Sequence, residues 1–350
     1  LSTALYLSGQ KAEAVVSAED TSKITLLSEI GKEIQITNPN KARDYFRTAA
    51  KLARELNQPQ ALGRVYTYWG DLEDKQHQYA TAIMLFNKGI AAYKPTAARF
   101  PVANLYIRTA QVQQKVQDEI SALDNFHRAL LIYEELESWQ HIARVHHQIC
   151  WLHYNFGNYP EALSHINEVL DIAQRFGDEN RIASAHTTIG NIKNELDQHK
   201  EALQSYEQAM QLVLKTDNTL KLSDLYRNMG TALSDYSEQQ DEANETEAAL
   251  QTAKEALRHF RQALALLEDT SDSLSMSQCY LEMGKTYKNV GSFYEDIDLQ
   301  AAADSSWQTA LVFFEKTQAN NDSPYSTLEV LNGLGDVRRR QGKYPLTLQY

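Results

Sequence analysis

The sequence predicts an all-α protein, a right-handed superhelical solenoid of about eight helix-turn-helix repeats. Three observations carry this. Ala42, Ala82, Ala122, Ala162 and Ala202 recur at an interval of 40 residues. Four residues after each comes a bulky one, in turn Phe46, Phe86, Phe126, Ile166 and Tyr206. Seven residues after each comes a small or modest apolar one, in turn Ala49, Gly89, Ala129, Val169 and Ala209. A fixed period of this length marks one supersecondary unit copied and stacked. A stacked array buries its core between neighbours and leaves a long open face, so binding comes before catalysis among the functions to consider.

Each unit reads as two helices. In the stretch 181–215 the first helix covers about 181–196. Its Ile182, Ala183, His186, Ile189, Gly190 and Ile192 are spaced mostly by three and four residues. Asp197, Gln198, His199 and Lys200 make a polar turn. The second helix carries Ala202, Leu203, Tyr206, Ala209, Met210 and Val213, and Asp217-Asn218 closes the unit. Along the chain the first helix has a small position at Gly70, Ala110, Cys150, Gly190, Gly230, Gly284 and Gly335. Four residues earlier stands Tyr66, Tyr106, His146, His186, Tyr226, Tyr280 or Leu331. A small residue here lets two helix axes approach to about 8–10 Å. The aromatic of the second helix, Tyr206 in this unit, then fills the wedge between units.

This pattern resembles the tetratricopeptide repeat family, which carries an aromatic and a Leu-Gly pair on its first helix and Ala, Phe and Ala on its second. In one unit those roles fall on Tyr66, Trp69-Gly70, Ala82, Phe86 and Gly89, with Pro95 just beyond. The resemblance runs from about Ser22 to Tyr350. The family's usual repeat is about 34 residues. The surplus here is about one and a half helical turns shared between two helices. Longer-helix versions resemble bacterial peptide-sensing regulators, kinesin light chains, polarity adaptors, and the extracytoplasmic sensor segments of bacterial kinases and diguanylate cyclases. The opening unit, Asn38-Pro39-Asn40-Lys41-Ala42, is most similar to the last group.

Two units depart from the period. After Gly230 the best alanine match is Ala256, an excess of 14 residues near 237–250 that includes Glu238, Asp241, Glu242, Glu245 and Glu247. After Gly284 the best match is Ala303, followed by Trp307 and Ala310, an excess of 7 residues near 292–302. Either the turns lengthen or the helices extend past the stack. The acidic stretch then reads as a solvated helix extension or as a docking site for a basic partner. Residues 1–21 are expected to form an N-terminal segment or cap, and 22–350 the array. The last unit, with Thr347 in the alanine position, stops midway through its second helix. With the Leu1 start, this suggests a piece of a longer polypeptide.

Net charge is −12 with pI near 5.3, which argues against nucleic acid and anionic membranes as partners. No apolar run reaches the roughly 18 residues of a membrane span. Cys150 and Cys279 fall among apolar residues and read as buried thiols. No phosphate loop, dinucleotide motif or nucleophile elbow is present. His141, His146, His147, His153 and His165 lack the spacing that puts zinc ligands on one helix face, and His146 holds a packing position. No metal or cofactor is expected. Asp71 and Asp74 share a helix face and read as solvated.

The resemblance implies an inner groove lined by first-helix residues. Carried over position by position, it places there Arg64, Asn104, Gln111, Arg144, His147, Trp151, Tyr154, Asn155, Asn191, Asn194, Arg227 and Lys285, with Ile107, Ser234 and Leu281 in the same rows. Amides both donate and accept, which suits the backbone of an extended peptide. Trp151 and Tyr154 would make an aromatic anchor, and the arginines would take carboxylates. A neighbouring unit or the segment 1–20 covering Trp151 is the alternative reading. The expected function is a non-enzymatic module that binds a protein or peptide, as the sensing or docking part of a larger bacterial signalling protein. A small-molecule sensor and an adaptor or oligomerisation scaffold are the alternatives. A homo-oligomer stays open, and so does the compartment: cytoplasm, or periplasm if the sensor resemblance holds.

Overall fold

The computed structural model describes residues 20–216, 218–268, 270, 272–320, 324–340 and 342. The proposed N-terminal segment, apart from its last two residues, and the truncated final helix lie outside them. Among the described residues there are fifteen helices and no strand. The chain divides into two compact units, Leu1–Phe156 and Gly157–Tyr350.

In the first unit α1 (Asp20–Ile34) pairs with α2 (Pro39–Glu55), α3 (Pro59–Lys75) with α4 (Tyr79–Tyr93), and α5 (Arg99–Lys115) with α6 (Glu119–Glu135). α7 (Trp139–Asn155) packs on α6. In the second unit α8 (Tyr159–Phe176) packs on α9 (Glu179–Glu195). α9 pairs with α10 (His199–Val213), α11 (Thr219–Glu242) with α12 (Thr246–Leu267), and α13 (Ser273–Asp296) with α14 (Gln300–Asn320); α15 (Pro324–Arg340) follows.

The small position of each first helix seats the aromatic of its partner. A Cβ on Gly70 would meet Phe86 Cε1 at 2.3 Å, and one on Gly190 would meet Tyr206 Cε1 at 2.4 Å. Gly230 faces Phe260 in the same way, and Gly31 faces Phe46. No real Cβ comes so close, so the ring is held against bare backbone. Phe46, Phe86, Phe126, Phe260 and Phe314 are fully buried, each removing about 1.5–3 kcal/mol of apolar surface from water. Gly31 extends the small-residue series one unit earlier than the sequence pattern showed.

The turns repeat as regularly as the helices. A left-handed residue recurs at Asn57, His77, Gln117, Glu137, Gly157, Gly177 and Asp197. Each spacing is 20 residues or a multiple of it, half of the repeat. Side-chain caps start several helices: Asp118 accepts from the Ser121 N–H, Asp178 from that of Arg181 and Asn218 from that of Lys221. Such caps satisfy N–H groups that a helix start leaves open.

The two irregular repeats are lengthened helices, and their turns stay short. α11 and α13 have 24 residues where α9 has 17, and α12 has 22 where α10 has 15. The added ends share a core of Ala249, Leu250, Ala253, Val290 and Phe293. One expectation is corrected. Gly284 seats Phe314, with a would-be Cβ at 2.8 Å, so Ala310 holds the alanine position that Ala303 was expected to hold. The excess there is therefore 14 residues, as in the preceding hairpin. Trp307 belongs to the added segment. It packs on Gly291, where a Cβ would meet its Nε1 at 2.2 Å, and it donates to the Lys288 carbonyl at 3.2 Å. A large ring four residues after an alanine fits both registers, and only the glycine beneath it tells them apart.

Replacing Gly190 by Ala should push Tyr206 out of its seat and cost about 1–3 kcal/mol in urea unfolding. Ser184→Ala, on the exposed side of the same helix, should stay within about 0.5 kcal/mol of wild type.

Candidate functional site

In the first unit the first helices of successive hairpins lie side by side, joined by pairs about one repeat apart. Arg108 pairs with Asp71, and Lys115 Nζ with Asp74 at 2.7 Å. Gln111 Nε2 donates to Gln148 Oε1 at 3.0 Å. Asp71 and Asp74, expected to be solvated, are instead half-buried partners of these cations. Burial pushes the Asp71 carboxyl up, against the pull of Arg108.

A cleft of about 740 Å³ opens along α5 and α7. Gln111, Gln114, Lys115, Gln117, Gln148, Trp151, Leu152, Asn155 and Phe156 line it. Trp151 is half-buried; its Nε1 donates to His147 Nε2 at 3.2 Å, and the Tyr154 ring meets it edge-on at 5.2 Å. Lys115 is the one ionisable residue in this lining, and Asp74 neutralises it. The cleft therefore offers amides, an indole and a phenyl ring, with no unpaired charge. Arg64 and Arg144 are exposed and lie outside the lining. Asn104 accepts from the Tyr133 hydroxyl at 2.8 Å, which ties it to α6. Ile107 is buried.

In the second unit the predicted polar residues are bonded to one another. Asn191 Oδ1 accepts from Tyr206 Oη at 2.8 Å and from Asn228 Nδ2 at 3.2 Å. Asn194 Nδ2 donates to Asp235 Oδ2 at 2.6 Å, and its Oδ1 meets His199 Nδ1 at 2.8 Å. Arg227 pairs with Asp224 at 3.3 Å, and Lys285 with Glu282 at 3.1 Å and Glu329 at 3.4 Å. Ser234 and Leu281, expected on the groove, are buried. Facing helices pack too closely here for these side chains to remain free. Burial pushes up the carboxyls of Asp235, Glu238 and Glu282.

No family model matches the chain, and no curated protein matches it in sequence. Solved structures do match in shape. The apo form of RapI is 15% identical over 73% of this chain and 99% of its own, with a TM-score of 0.54. The C-terminal part of a TPR repeat-containing protein from Cytophaga hutchinsonii is 12% identical over 88% of this chain and 99% of its own, also at 0.54. A tetratricopeptide repeat protein from Parabacteroides merdae is 11% identical over 93% of this chain and 98% of its own, again at 0.54. The chain has the tetratricopeptide-repeat fold.

Five of the predicted groove residues of this TPR chain, Gln111, His147, Trp151, Tyr154 and Asn155, meet in or beside the first unit's cleft. Asn191, Asn194, Arg227 and Lys285 lie in the second unit. Gln117, Gln148 and Phe156 line the cleft and were not foreseen. Gln148 stands 40 residues after Arg108 and, like it, reaches the neighbouring first helix; that shared register was the available signal. No helix among the described residues is long and apolar enough to cross a membrane. Among the same residues no cluster of three or more His, Cys, Asp or Glu side chains is suited to hold a metal ion. His141 stacks on Tyr133 at 4.8 Å with its Nδ1 near Ser138 Oγ, a packing role.

Burial pushes both Cys150 and Cys279 thiols up to about 12. Thiolate is the reactive form, so iodoacetamide at mildly alkaline pH should leave both unlabelled in the folded chain and label both in urea, read by mass spectrometry. Glu238 supplies a pH prediction. Its folded pKa is raised, by burial first and then by Asp235. Its contribution to stability is thus present in acid and lost as pH rises through the folded value. The stability of Glu238→Gln relative to wild type should therefore grow from about pH 4 to neutrality, measured by urea unfolding across that range.

Proposed function

We propose that this chain is a non-enzymatic protein- or peptide-binding module whose main ligand site is the cleft along α5 and α7. The observation that carries the reading is the lining of that cleft. Gln111, Gln114, Gln117, Gln148 and Asn155 surround Trp151 with no unpaired charge among them. Amides can follow a peptide backbone without reading its side chains. A held indole supplies an anchor worth roughly 2 kcal/mol or more. His147 and Tyr154 fix the indole before any partner arrives, which lowers the entropy lost on binding. We further propose that the module is the sensing or docking part of a larger bacterial signalling protein, in line with its resemblance to long-helix TPR sensors.

The test is selection of peptides from a display library on the intact chain, followed by calorimetry. Trp151→Ala should weaken the selected peptide roughly thirtyfold. Unchanged affinity would move the site elsewhere. A clear heat from metabolites with none from peptides would overturn the reading in favour of a small-molecule sensor.

A further inference from the structure

The second unit holds another cavity, separate from the α5–α7 cleft and made by the lengthened hairpin. α9 stops at Glu195, whereas α11 runs on to Glu242. The overhang of α11 forms a ledge above the end of α9 and the start of α10. A cavity of about 390 Å³ lies there. Asp235, Glu238 and Glu242 line it from α11, and Glu195 and Asp197 from the end of α9 and its turn.

A buried histidine shows what the cavity lacks. His199 is 5% exposed and lines the cavity. Its tautomer follows from its neighbours. Asn194 Nδ2 donates to the Asp235 carboxylate, so Asn194 turns its Oδ1 toward the imidazole. A carbonyl oxygen only accepts, so His199 must donate from Nδ1. The neutral ring then carries its lone pair on Nε2. The nearest group to that nitrogen is Asp197 Oδ1 at 4.0 Å, another acceptor and beyond hydrogen-bond reach. A nine-tenths-buried side chain thus points an unused acceptor into a cavity walled by carboxylates. Buried polar atoms are seldom left so without a reason.

We infer that this cavity receives the guanidinium of an arginine side chain from a peptide or protein partner. The missing complement is a multiple donor carrying positive charge. Lys200 sits over the Tyr236 ring at 5.3 Å beside the adjoining recess, and Lys285 is held by Glu282 and Glu329. Neither lines the cavity. The described residues form no cluster suited to a metal ion, which directs the choice to an organic cation. A guanidinium offers five N–H donors in one plane, enough to meet two carboxylates and the imidazole lone pair together. Burial that raises Asp235 and Glu238 would be offset by such a guest.

The intact chain labelled with ¹⁵N-histidine tests this by titration with acetyl-Gly-Arg-Gly-amide. The His199 resonance is assigned by its loss in His199→Gln. A saturable shift of that resonance is expected, and the citrulline tripeptide should leave it unmoved. Glu238→Gln with Glu242→Gln should weaken the arginine tripeptide about tenfold. Trp151→Ala should leave the titration unchanged, which separates this site from the α5–α7 cleft. Should the double variant lose its helical circular dichroism, Asp197→Asn serves instead, because its exposed side chain sits at a left-handed position that Asn tolerates. It should weaken binding severalfold. The inference is overturned if the tripeptide leaves His199 unmoved, if citrulline matches arginine, or if the folded variants titrate like wild type. It is equally overturned if spermidine shifts the resonance while the tripeptide does not, which would mark a free polyamine site.

Discussion

An aromatic ring resting on bare backbone is the contact on which each hairpin depends. Phe46 on Gly31, Phe86 on Gly70, Tyr206 on Gly190, Phe260 on Gly230 and Phe314 on Gly284 are one arrangement repeated. The absent Cβ sets how near the two axes come, and the ring fills what a side chain would have occupied. Packing at this density leaves no slack for an extra methyl group. The next hairpin rests on the same ring's far side: Gly333 of α15 meets Phe314. Helix pairing and stacking are therefore not independent choices, and the regular spacing of polar groups on the first helices follows from both.

That contact is also why so much of the fold was legible. A glycine and an aromatic at fixed separation stand out in a sequence even at the 11–15% identities seen with solved TPR structures. Legibility failed where two residues satisfied the same template. Ala303 and Trp307 match the motif as well as Ala310 and Phe314 do, and the choice between them is made by Gly284 and Gly291 in three dimensions. Gly31 escaped notice for a different reason: its hairpin has a short first helix, so its distance to Ala42 is not the usual one.

The candidate sites were harder to read because polarity alone does not say whether a side chain is free. Asn104, Asn191 and Asn194 look like the amides of a peptide clamp, yet each is bonded within the protein. The tyrosines that seat against the glycines carry hydroxyls, and Tyr206 uses its hydroxyl on Asn191. Packing chemistry thus claims polar residues that spacing alone assigns to a ligand. Trp151 was legible for the opposite reason: an indole on an otherwise polar helix row has no seat in the hairpin register, and the cleft is where it sits.

The lengthening of α11 and α12 shows how such a chain acquires new surface without disturbing its neighbours. Each helix gains seven residues over its counterpart in the preceding hairpin. Seven residues make nearly two complete turns, with a rotational mismatch of only about 20°. Growth by that quantum adds height and leaves the azimuth of every existing side chain almost untouched. An insertion of five would instead spin the distal end away from its mate. Evolutionary tinkering with these hairpins is thereby confined to a coarse ladder of permitted lengths, and every rung raises a parapet beside a shorter neighbour.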